Sequence, residues 1–189
     1  MQVKEIFKIV CSLLGKEELL DSSYFDPNGN ELTDDLSADL NKMLWCLDSV
    51  TEEISLSYLP LLKEKEVTFN NGKVTVSDID QNIFGIIGIK TKTGRNLKYK
   101  YINNEIVCLT NSAIVTYKVH PEQTTLNGTA EDFSGRLTAR ILAYGVASEY
   151  CYLDMLYDDA TIWENRFKNA LFYISEKKGE LKLKQRGWY

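Results

Sequence analysis

The apolar residues of this chain keep two different periods, and the change from one to the other limits the folds open to it. Near both ends they recur every three or four residues, the spacing of one helix face. Between about residues 64 and 120 they alternate, the spacing of a half-buried strand. The pattern predicts an α+β chain: a helical bundle drawn from both chain ends, with a small antiparallel β-meander inserted between them. With 189 residues, a single domain over 1–189 is expected. A chain of that size buries roughly 70% of its unfolded surface and needs neither disulfides nor metal to fold.

The first helix is expected over 2–15, where Val3, Ile6, Phe7, Val10, Leu13 and Leu14 share a stripe and Gly15 is a stop. Asp26-Pro27-Asn28-Gly29-Asn30 reads as a loop. Thr33 or Asp34 can cap a long helix over 33–59, which Pro60 ends because the residue before a proline disfavours helix. The β insert, 64–120, starts with Glu66–Phe69 and Lys73–Val76 around Asn71-Gly72, a strong signal for a type I′ hairpin. Further strands are expected at 84–92, 97–102, 105–109 and 113–119, with turns at Thr93-Gly94 and Asn103-Asn104. A helical hairpin follows over 133–178. Its first helix sets Ala143, Gly145, Ala147 and Ser148 among bulky neighbours, which lets another helix approach closely. Its second begins at Asp158-Asp159 and repeats Ala160, Trp163, Phe167, Ala170 and Ile174, with Lys177, Lys178 and Gly179 as C-terminal signals. The tail is 179–189.

Little in this sequence points to catalysis. His120 is the lone histidine, placed directly before Pro121 at a strand end, and reads as structural. Asp26-x-Asn28-x-Asn30 imitates the start of a calcium loop, but Glu31 stands where glycine is needed and Ser37 where the bidentate glutamate is needed. Gly85-Ile-Ile-Gly88 has neither the spacing of a phosphate loop nor the cations of a KH clamp, so it reads as a strand irregularity. No metal and no cofactor are expected, and the chain is not expected to be an enzyme. Chemistry by pairs of Asp or Glu is a third possibility without support. Cys11, Cys46, Cys108 and Cys151 form no CxxC pair and sit among apolar residues, so four buried free thiols in a reducing cytoplasm are expected. Lys4, Glu5 and Lys8 interrupt the first apolar run, against a signal peptide or membrane span.

Charge is unevenly spread. The net charge of −5 argues against a protein that wraps phosphate. Met1 to Leu59 holds twelve acidic residues against four lysines, whereas Glu176 to Tyr189 holds five basic residues against two acidic ones. Acidic surface on one copy can thus meet the basic tail of another. Tyr144, Tyr150, Tyr152, Tyr157, Trp163, Phe167, Phe172 and Tyr173 crowd the hairpin; most are expected in the core, and any left outside would be interface anchors. Lys182, Lys184, Arg186, Trp188 and Tyr189 are the expected partner-binding residues, because an aromatic pair after LKLKQRG belongs to no core segment.

Three stretches carry a resemblance: VTYKVHP (Val115–Pro121), LAYGVASEYC ending at Cys151, and DATIWENRFKNAL (Asp159–Leu171). In this order of elements the chain resembles the head-to-tail connector, or neck adaptor, proteins of tailed bacteriophages, most closely in plan the tail tubular A type. The resemblance covers most of the chain and transfers no functional residue. It implies a virion structural protein, assembled in the host bacterial cytoplasm, that forms a homo-oligomeric ring, commonly twelvefold, between portal protein and tail. DNA would pass through without specific binding. The alternative is a small intracellular prophage-encoded interaction or regulatory protein without enzymatic activity.

Overall fold

The computed structural model describes residues 1–176, so Lys182, Lys184, Arg186, Trp188 and Tyr189, like Lys177, Lys178 and Gly179, lie outside the described residues. In chain order these residues form α1 (Val3–Leu14), α2 (Glu17–Leu20), α3 (Asp34–Ser57), β1 (Leu61–Thr68), β2 (Lys73–Thr75) and α4 (Val76–Ile79). There follow β3 (Ile83–Lys90), β4 (Tyr99–Ile102), β5 (Glu105–Cys108), β6 (Ser112–Val119), α5 (Ala139–Leu153) and α6 (Tyr157–Glu176). The fold is α+β. The chain divides into two compact units, Met1–Thr51 with the residues from Gln123 onward, and Glu52–Glu122.

The first unit is helical. α1 turns Val3, Ile6, Phe7, Val10 and Cys11 inward and stops at Gly15, whose φ of 67° is the left-handed conformation glycine tolerates best. It packs on α5, and α5 packs on α6. Thr33 caps α3 by accepting from the Leu36 N–H at 3.3 Å. α5 begins at Ala139, six residues after 133, where the hairpin is expected to start. Phe133, Ser134 and Gly135 all have positive φ, which no right-handed helix allows, and the helix starts only where Thr138 caps Ile141. Midway along α5, an added Cβ on Gly145 would lie 2.8 Å from Val50 Cγ1 and 3.0 Å from Phe167 Cε2. Glycine there lets α3 and α6 close on α5, as its small-residue stretch predicts. The Ser148 hydroxyl donates to the Ala160 carbonyl at 3.1 Å and ties the hairpin.

The second unit holds two antiparallel three-stranded sheets, β1-β6-β3 and β2-β5-β4, around Phe69, Ile79, Ile89, Ile106, Val115 and Tyr117. The Asn71-Gly72 turn forms as expected, with φ of 52° and 75° at the two residues. Its arms nevertheless join different sheets: β1 pairs with β6 from Leu61↔Val119 to Thr68↔Ser112, and β2 pairs with β5. A single bridge, Asn70↔Lys73, joins them at the turn. A second bridge, Lys90↔Asn96, links β3 to the segment entering β4. The pairings thus run in a circuit, β1-β6-β3-β4-β5-β2, and not as a meander in sequence order. Each corner is held by one bridge, so β1, β2, β3 and β4 remain edge strands of their two sheets. The register of β3 shifts between Ile83 and Gly85 and again between Ile86 and Gly88, so the GIIG stretch marks irregularities in a strand. The two four-residue helices, α2 and α4, are too short to leave a readable period in the sequence.

Candidate interaction surface

The chemistry-bearing residues singled out in the sequence have local partners. His120 Nδ1 lies 3.2 Å from Glu52 Oε1, and its ring packs on Phe84 with centroids 4.8 Å apart. Asp26 accepts from the Asn28 N–H at 2.9 Å in an Asx turn. Among the described residues, no three His, Cys, Asp or Glu side chains converge on a position for a metal ion. All four cysteines are free and buried; burial pushes the Cys11 and Cys46 thiols up to about 12. Two grooves lie in the β unit at the loosely bridged corners of the circuit. One, of about 300 Å³, is lined by Ile83, Phe84, Ile86, Tyr99 and Tyr101 and holds no ionisable acid or base other than tyrosine. The other, of about 480 Å³, is lined by β1 and β2 and carries Lys65, Glu66, Lys73, Asp78 and Glu105. In it, Lys73 pairs with Glu105 at 3.4 Å. No described helix is long and apolar enough to cross a membrane.

A polar knot fixes α5 against α3. Asp39 accepts from the Tyr150 hydroxyl at 2.6 Å and from Lys16 Nζ at 2.5 Å. Lys16 and Lys42 both lie over the Tyr150 ring, 4.8 and 4.4 Å from its centroid, and Lys42 also pairs with Asp154. Burial works against the charge on Asp39. Even so, the hydrogen bonds from Lys16 and Tyr150, with the charges of Lys16 and Lys42, hold its carboxyl below the ordinary value of 3.8. Burial first, then the Asp39 carboxylate, push the Tyr150 phenol far up, so it stays a donor.

Beyond this knot the hairpin turns in the open. Leu153, Asp154, Met155, Leu156, Tyr157, Asp158 and Asp159 are seven consecutive exposed residues, four of them large and apolar. α5 ends in a Schellman motif: the Met155 N–H donates to Tyr152 at 3.1 Å and the Leu156 N–H to Cys151 at 2.9 Å. The left-handed position of that motif, normally glycine, is Met155 at φ 59° with its side chain 74% exposed. A side chain there costs on the order of 1 kcal/mol, and among the described residues no packing offsets it. Trp45, 67% exposed, lies on α3 one turn from Lys42, the residue that holds Asp154. Exposed apolar residues gathered at one turn make it the candidate interaction surface of the described residues.

The expectation that most hairpin aromatics are core is corrected. Tyr150 and Phe167 are buried, while Tyr157, Phe172 and Tyr173 are exposed. Tyr144 and Trp163 stack at the half-buried margin, 5.9 Å apart, flanked by Arg140 and Arg166. Gly145 lets Val50 of α3 and Phe167 of α6 come close to α5, which leaves room inside for few rings. Met155 and Trp45 escaped notice in the sequence. A hint of Met155 was present, since the α5–α6 connection has no glycine to take its left-handed turn. No protein-family model matches this chain, and no curated protein matches it.

Proposed function

We propose that the chain is a structural subunit of a head-to-tail connector ring, of the kind that joins portal to tail in tailed bacteriophages. The observation that carries the reading is the α5–α6 tip. It displays Met155 in a conformation that disfavours methionine and surrounds it with Leu153, Leu156 and Tyr157, a construction suited to a protein partner. A ring subunit needs two different surfaces that close on each other and no reaction centre. The acidic helical unit, with 18 Asp and Glu against eight Lys and Arg among its described residues, would also repel DNA passing through a channel. Portal protein and tail components are the proposed partners, in the virion and, during assembly, in the host cytoplasm. The same tip equally suits the rival reading, a monovalent interaction or regulatory protein. Mass measurement in solution, alone and with added portal protein, separates the two. A closed ring or a stoichiometric portal complex is expected; a monomer at every concentration, with no portal binding, sinks the connector reading.

A further inference from the structure

The α5–α6 tip is apolar at Leu153, Met155, Leu156 and Tyr157 and acidic at Asp158 and Asp159. A segment that fits it needs apolar anchors spaced among basic side chains. The chain carries one such segment. Residues 177–189, KKGELKLKQRGWY, hold five Lys or Arg against one Glu, with Leu181, Leu183, Trp188 and Tyr189 between and after them. It follows α6, whose 20 residues carry the chain about 30 Å from the tip. To reach its own tip the segment must run back along all of α6, using most of the ~45 Å that 13 extended residues span. A neighbour whose tip meets the end of α6 removes that demand.

We infer that residues 177–189 of one copy dock on the α5–α6 tip of a second copy. Trp188 and Tyr189 cover Met155, Leu156 and Tyr157, and the basic side chains face Asp158 and Asp159. This rests on the ring reading and names the contact that would build it. Two different surfaces meet, so the contact repeats from copy to copy until it closes. It also weakens with salt, because the facing charges are exposed.

The test uses two full-length variants: one with a spoiled tip, Met155→Lys with Leu156→Ser, and one with a spoiled tail, Trp188→Ser with Tyr189→Ser. Circular dichroism melts check that each folds like the wild type; should the tip pair not fold, Met155→Lys alone replaces it. Sedimentation should show each variant alone as a monomer under conditions where the wild type associates. Their mixture should form a 1:1 heterodimer and grow no further, because one intact tip and one intact tail remain between them. Normal association of the tail variant alone would mean that the tip meets another tip, and would overturn the proposal. Two monomeric variants that do not complement in the mixture would overturn it as well. Rings that form with both variants leave the connector reading standing and this contact refuted. Complementation without any wild-type ring keeps the contact and removes the ring.

Discussion

Gly145 and Met155 occupy the same helix and its end, and each holds a residue type that suits the other's position. Glycine in a helix interior costs about 1 kcal/mol against alanine. A side chain in the left-handed residue after a helix costs a similar amount. At Gly145 the packing supplies the reason, because a Cβ would run into Val50 and Phe167. At Met155 no packing among the described residues does, since the residue is 74% exposed there. The difference teaches that an unfavourable local choice inside the core reports on neighbours already present. The same choice at Met155 has no such neighbour among the described residues, and the proposed contact would supply one.

The comparison breaks first at Gly145. Gly145→Leu should cost about 3 kcal/mol by overpacking, read as a lowered urea midpoint, and Val50→Ala in the same chain should recover part of it. An additive double mutant would mean that Val50 is not the obstacle. Asp39→Ala, which removes the knot holding α5 beside the tip, should cost about 2 kcal/mol by leaving the Tyr150 hydroxyl and Lys16 without their acceptor. The pH dependence has a definite sign. The Asp39 carboxyl titrates lower in the folded chain than in the unfolded one, so its contribution is complete above about pH 4 and fades as pH falls through the folded value. Urea melts from pH 6 to pH 3 should therefore fall less steeply for Asp39→Ala than for the wild type; parallel curves would remove Asp39 from the account.

Gly72→Val should cost about 2 kcal/mol, because valine resists the positive φ of the type I′ turn and its Cβ would press on the Cys108 carbonyl at 3.1 Å. The smallest effect sharpens the contrast most. Met155→Gly should raise monomer stability by about 0.5 kcal/mol, the relieved strain exceeding the added freedom of the unfolded chain, while it weakens self-association. A Met155→Gly chain that is less stable and associates as before would show that methionine serves the monomer after all.

Helices α1, α3, α5 and α6 were legible because their apolar period and caps are local. Gly15 stops α1 and Thr33 caps α3 through bonds within a few residues. The candidate site was half legible. The hairpin aromatics could be listed from the sequence, but the ones that face outward depend on how closely α3, α5 and α6 approach at Gly145. The sharpest division between the two sources of information lies at Asn71-Gly72. By itself the sequence determined that turn, because asparagine and glycine accept positive φ at little cost wherever they stand. The strand partners were decided by tertiary structure. β1 left the neighbour its turn offered and paired with β6, where Val67 is buried opposite Ala113. A turn is fixed by the sterics of two residues, whereas a strand chooses the partner that buries its apolar face, and that partner can be fifty residues away.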